Sequence, residues 1–146
     1  MTTEPTVLIA EDNENDIFLL RRALITANIT LSIDIVRDGQ EAIARLENGR
    51  MTEFFPQLVL LDLKMPKYKG FEVLKWIREQ PHLKRLIVVV FSTSRFHEDI
   101  NRAYDLGANS YLIKPSDMNE LVSLLKEVQT YWLQTNNGPD LRRVEF

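Results

Sequence analysis

Five positions carry groups that could do chemistry together: Glu11 and Asp12, Asp62, Ser92, and Lys114. Each stands at the end of an apolar, β-prone run. "TVLIA" leads into Glu11 and Asp12, "LVLLD" closes on Asp62, "LIVVVF" is followed by Ser92 and Thr93, and "SYLIK" ends on Lys114 before Pro115. In an open parallel sheet, ligands bind beyond the carboxyl ends of the strands, so these side chains would converge on one edge. Three clustered acids repel one another and must either protonate or take up a cation. Hard oxygen donors completed by water suit magnesium, which prefers a few carboxylates plus phosphate oxygens. With a cation at Asp12 and Asp62, a phosphoryl group could approach an otherwise repulsive pocket. An aspartate can then serve as its nucleophile and form an acyl phosphate. The cation and Lys114 would stabilise charge on the equatorial oxygens, and the Ser92 hydroxyl could donate a hydrogen bond to them.

The intervening segments must hold these strand ends in register. Ile17, Leu20, Leu24 and Ala27 recur at helical spacing, as do Phe71, Leu74 and Ile77. Asp38 with Glu41, and Asp117 with Glu120, have the spacing of capping boxes. Strand then helix, five times over, predicts an α/β domain with a parallel sheet covered on both faces. The third and fourth strands are continuous Val/Leu/Ile runs suited to the middle of the sheet. The second, "LSIDIV" (Leu31–Val36), alternates and belongs at an edge. "SRFHEDINRAYDLG" has few apolar positions and predicts a lightly anchored, exposed helix. The last helix, "SDMNELVSLLKEVQTYWLQ", is wider in its apolar face than one stripe requires, because of Leu124, Tyr131 and Trp132.

The chain's 146 residues suit one domain with a proper core. A net charge of −3 disfavours a nucleic-acid partner, which wants a basic face. The longest apolar run falls far short of the roughly 20 residues of a membrane span. The absence of cysteine and of a basic, apolar leader fits a cytoplasmic protein. A short tail, "DLRRVEF", is expected to pack on the domain or on a neighbouring molecule.

The "ED" pair, "LLDLKMP" with Gly70 beyond it, the "FSTS" hydroxyls and the "YLIKP" lysine resemble the receiver domain of two-component response regulators. Thirty positions separate Asp62 from Ser92 and twenty-two separate Ser92 from Lys114. The resemblance covers about residues 5 to 134, so the expected organisation is a receiver domain over 1–134 and a tail over 135–146 with no output domain. It implies a flavodoxin-like (βα)5 fold with strand order 2-1-3-4-5. It also implies Asp62 as phospho-acceptor, Asp12 as a direct Mg2+ ligand, Glu11 as a ligand through water, and the backbone carbonyl of Lys64 as a further ligand. Ser92 and Tyr111 become the switch pair, and Lys114, with a cis link to Pro115, reads the phosphoryl group. The implied partner is a sensor histidine kinase, and "YWLQ" with "LKRLIVVVFSTS" resembles the single-domain regulators paired with bacterial phytochromes. Output would come from the face of the fourth helix, fifth strand and fifth helix binding its own copy in a homodimer, the kinase, a phosphorelay protein or a downstream target, the alternative function being a phosphorelay intermediate that passes the phosphoryl group to a histidine phosphotransfer protein. An aspartate-nucleophile phosphatase needs a second aspartate two positions after the first, where this chain has Lys64. A flavodoxin-like cofactor binder needs hydroxyls and amides in its first loop, where "AEDNEND" offers acids.

Overall fold

The computed structural model describes residues 6–49, 55–67 and 69–141. Five strands, β1 (Thr6–Ala10), β2 (Ser32–Val36), β3 (Leu58–Leu61), β4 (Val88–Ser92) and β5 (Ser110–Ile113), form one sheet in the order 2-1-3-4-5. Every pairing is parallel. The alternating strand β2 is at an edge, and the all-buried β3 lies at the centre. The helices are α1 (Glu14–Thr26), α2 (Gly39–Gly49), α3 (Gly70–Glu79), α4 (His97–Asp105) and α5 (Met118–Val128). This is the two-sided parallel α/β sheet that the strand and helix pattern predicts, in the flavodoxin-like order that the resemblance to receiver domains implies.

Period-two alternation divides the strands between two cores. Leu8 and Ala10, Val59 and Leu61, and Val88 and Val90 pack with Ala42, Leu46, Val73, Leu74 and Ala103 of α2, α3 and α4. Val7 and Ile9, Leu58 and Leu60, and Val89 and Phe91 pack with Leu20, Leu24, Leu121 and Leu125 of α1 and α5. Helix starts are fixed by side chains. Asn13 accepts from Asp16 N at 2.9 Å, Asp38 from Glu41 N at 2.7 Å, and Asp117 from Asn119 N at 2.8 Å. Helix α4 buries only Ala103, and Arg102 lies 4.2 Å over the Phe71 ring of α3. Its far end is secured by Arg78, which donates to the carbonyls of Gly107, Lys84 and Leu86 and to Asn109 Oδ1 at 2.7–3.0 Å.

Two expectations need correction. The final helix does not run on to Gln134: α5 ends at Val128, and Gln129–Thr135 is a π-helical turn. Its i to i+5 spacing sets Leu133 beneath Val128, so that Trp132 and Leu133 both pack on the α1/α5 core. The surplus width is thereby largely used internally: Leu124 and Trp132 are partly buried there, and Tyr131 is the one left exposed. The Lys114–Pro115 bond is trans, since the described residues contain no cis peptide. Isomers before proline differ by only about 0.5–1 kcal/mol, so local packing decides between them. As for the tail, Leu141 packs on the α2/α3/α4 core, while residues 142–146 lie outside the described residues. The chain thus passes from one layer of the sandwich to the other after the π turn.

Candidate functional site

The carboxyl edge of the sheet brings four of the five expected side chains together. Each of Glu11, Asp12 and Asp62 offers a carboxylate oxygen within 4.8 Å of the others. Lys114 Nζ pairs with Glu11 Oε1 and lies 3.3 Å from Asp62 Oδ2. Strand parity explains the grouping. Glu11 continues the series Val7, Ile9; Asp62 continues Leu58, Leu60; Lys114 continues Leu112; all three series face the α1/α5 side.

Ser92 and Tyr111 have the opposite parity. Ser92 follows Val88 and Val90, and Tyr111 packs on the α2/α3/α4 core. The Ser92 hydroxyl is fully buried and accepts from Ser94 N at 3.2 Å. Tyr111 donates from its hydroxyl to the Ser94 carbonyl at 2.9 Å. The two therefore meet at the β4–α4 loop, and it is Thr93 that lines the acid cavity. That loop is further tied to α4 by Ser94 Oγ, 2.5 Å from Asp99 Oδ2.

One participant escaped the strand-end reasoning. Asp16, in the first turn of α1, places Oδ2 3.1 Å from Lys114 Nζ. Its sequence signal is its place in the first helical turn directly after the strand-end acids, three residues on from the N-cap Asn13.

The electrostatics follow from this crowding. Burial, with Asp62 adding to it, raises the Glu11 carboxyl to about 7, against the pull of Lys114 and of the Asn13 N–H donating to Oε2. For Lys114, burial alone would lower the ammonium, but Glu11, Asp62 and Asp16 outweigh it and the net shift is upward. One ammonium cannot balance that many acids. An all-oxygen, acid-rich donor set of this kind fits a hard divalent cation and not a thiolate- or imidazole-seeking metal.

The loop after Asp62 is shaped for close approach. Lys64 N points toward Asp62 Oδ1 at 3.4 Å, and the Lys64 side chain is exposed. Lys67 takes a left-handed φ of 52°. Gly70 opens α3: a Cβ there would stand 2.3 Å from the Asp62 carbonyl oxygen and 2.7 Å from Leu63 Cα. Glycine is required because the helix start is pressed against the backbone of the acid.

Beneath the acids lies a cavity of about 220 Å³ lined by Leu19, Leu20, Leu60, Phe91 and Leu121, with Thr93 and Lys114 at its polar side.

The model of the response regulator receiver domain matches residues 7–126. The chain belongs to this family. Among curated receivers, it is 37% identical to the response regulator Rcp1 of Synechocystis over 135 residues, covering 91% of this chain and 92% of that protein. It is 39% identical to the probable methanogenesis regulatory protein FilR2 of Methanothrix harundinacea, also over 135 residues, covering 91% and 86%. Among solved receivers, the phosphorylated cyanobacterial phytochrome response regulator RcpA superposes with a TM-score of 0.84 at 38% identity, over 94% of this chain and all of that one. The Mn2+-bound form of Rcp1 superposes with 0.80 at 36% identity, over 93% and 99%. The receiver is therefore close to phytochrome response regulators along nearly its whole length. Among its described residues no helix is long and apolar enough to cross a membrane.

Proposed function

We propose that this receiver takes a phosphoryl group onto Asp62 from a phosphohistidine of a sensor histidine kinase, with Mg2+ as its cation. The observation that carries this reading is the meeting of Glu11, Asp12 and Asp62 within 4.8 Å beside Lys114 Nζ. An Asp62 carboxylate oxygen attacks phosphorus, the P–N bond breaks, and the released imidazole keeps the electron pair and takes a proton. Asp62 is held for this by the rigid end of the central strand, its own N–H donating to Ala10 O at 3.1 Å. Lys114 keeps its ammonium 3.3 Å from Asp62 Oδ2, where it can meet the incoming oxygens without travelling. The cation would be held by Asp12 and Asp62, by Glu11 through water and by the Lys64 carbonyl, and it would offset the negative charge that gathers at the reacting group.

The acyl phosphate adds about one further negative charge to a site already short of cations. Ser92 and Tyr111 form the switch pair, acting through the β4–α4 loop that both already touch. The response is a population shift of the α4–β5–α5 face rather than a new fold. Helix α4, with one buried residue, is the element least able to resist it. The kinase would approach α1, which begins beside the acids and exposes Phe18 and Ile25 on one face. The similarity to RcpA and Rcp1 supports a phytochrome as that kinase. Such a partnership belongs in the cytoplasm and involves neither nucleic acid nor membrane.

Incubation with Mg2+ and acetyl phosphate tests the reading directly. Intact mass is expected to rise by one phosphoryl group in the wild type and not in Asp62→Asn. An unlabelled wild type, or a labelled Asp62→Asn, overturns it.

A further inference from the structure

Lys114 is shared among three carboxylates, and only two of them belong to the strand ends. The third, Asp16, stands 3.1 Å from Nζ, within hydrogen-bond reach. Its position is built rather than incidental. The Asp16 N–H is donated to Asn13 Oδ1 at 2.9 Å, so the cap that starts α1 also fixes where this acid sits. The side chain is 37% exposed, against 10% for Lys114 and 9% for Asp62. It is thus the half-open rim of an otherwise buried cluster, and it lines the same cavity as Thr93 and Lys114.

We propose that Asp16 is a positioning residue that competes with the phosphoryl group for Lys114, shortening the life of the phosphorylated state. The inference rests on Asp62 being the acceptor. Two contacts through one nitrogen place the Asp16 and Asp62 oxygens no more than about 6.4 Å apart. A like charge at that range disfavours any increase in negative charge, and phosphorylation of Asp62 is such an increase. Asp16 also holds one hydrogen-bond direction of the ammonium, which the phosphoryl oxygens would otherwise take. Its partial exposure weakens the repulsion through solvent and salt without abolishing it.

The test compares wild type, Asp16→Asn and Asp16→Glu under Mg2+ and acetyl phosphate. Intact mass gives the phosphorylated fraction at steady state and, after donor removal, its half-life. Binding of beryllofluoride, a phosphoryl mimic, followed by fluorine NMR gives an equilibrium readout without turnover. For Asp16→Asn the ratio of phosphorylated to free protein is expected to rise about three- to tenfold, with a longer half-life and tighter beryllofluoride binding. Asp16→Glu, keeping the charge, should stay close to wild type. A residue that merely supported α1 would weaken all three quantities when removed. A wild type that takes up no phosphoryl group removes the underlying assignment of Asp62. A wild type that does, beside an Asp16→Asn whose half-life and beryllofluoride affinity are equal or lower, overturns the role of Asp16. So does an Asp16→Glu that behaves like Asp16→Asn.

Discussion

Glu11 is the residue whose protonation tells most about the empty charge balance of the pocket. It titrates near 7, well above the usual glutamate value of 4.5, because burial and Asp62 penalise its charge. The folded protein then binds this proton more tightly than the unfolded chain does. Its contribution to stability is fully present below pH 4.5 and drains away as pH rises toward 7. In EDTA the wild type should therefore lose stability relative to Glu11→Gln across that window, by on the order of 3 kcal/mol at the upper bound. Urea denaturation at a series of pH values measures this, and a gap that stays flat from pH 4.5 to 7.5 would contradict it. Mg2+ should narrow the gap, because a cation favours the carboxylate that burial disfavours. Lys114 has the opposite exposure to alkali: its raised value means that its ionic contacts persist until pH climbs past the ordinary lysine range.

At the scale of elements, the apolar runs and helical periodicities lay out the strands, a parallel two-sided sheet and the edge place of β2, because such a sheet writes itself as continuous Val/Leu/Ile, whereas the order 2-1-3-4-5 comes from the resemblance to receiver domains. The acids at strand ends were legible for the same reason: a buried strand rarely continues into a carboxylate unless the sheet ends there. Side-chain direction was harder. Ser92 looks like a pocket residue by position, yet its parity turns it toward α4, and only counting along β4 from Val88 reveals that. Asp16 was missed because it lies on a helix, outside the strand-end rule. The π turn was invisible because Trp132 and Leu133 fit an α-helical stripe nearly as well. Nor does the sequence alone show that Gly70 is needed for close contact with the Asp62 backbone. Replacing it with alanine sets a Cβ against backbone, which cannot rotate away. Gly70→Ala is expected to cost about 2–4 kcal/mol in urea denaturation despite alanine's better helix propensity. An unchanged midpoint would show that α3 can slide off the strand end freely.

Over the whole molecule, the broad last segment leaves only Tyr131 of its surplus apolar side chains exposed. Leu124 and Trp132 are drawn into the α1/α5 core. Phe96, the N-cap of α4, and Tyr104 in its last turn are 69% and 49% exposed, with Ile100 between them at helical spacing. A phosphorylation-dependent homodimer through the α4–β5–α5 face would bury this stripe. Light scattering of the acetyl phosphate-treated protein should then report twice the monomer mass, and Phe96→Ser with Tyr104→Ser should return it to the monomer. A fully phosphorylated wild type that remains monomeric would assign the stripe to a different partner.

The two ends of the sheet also differ in what can disturb them. The carboxyl edge is held by carboxylates and an ammonium, so acid and salt each alter it. Arg78, at the opposite end, spends its donors on three carbonyls and an amide oxygen, with no carboxylate among them. Gly107, at a φ of 104°, leaves room for that guanidinium, which a Cβ would meet at 2.8 Å. Neutral acceptors neither titrate nor exchange counterions, so the anchorage of the α4–β5 loop is indifferent to the ionic conditions that reset the pocket. Buffer composition thus becomes a way to perturb the reacting end of this receiver while its mechanical footing stays fixed.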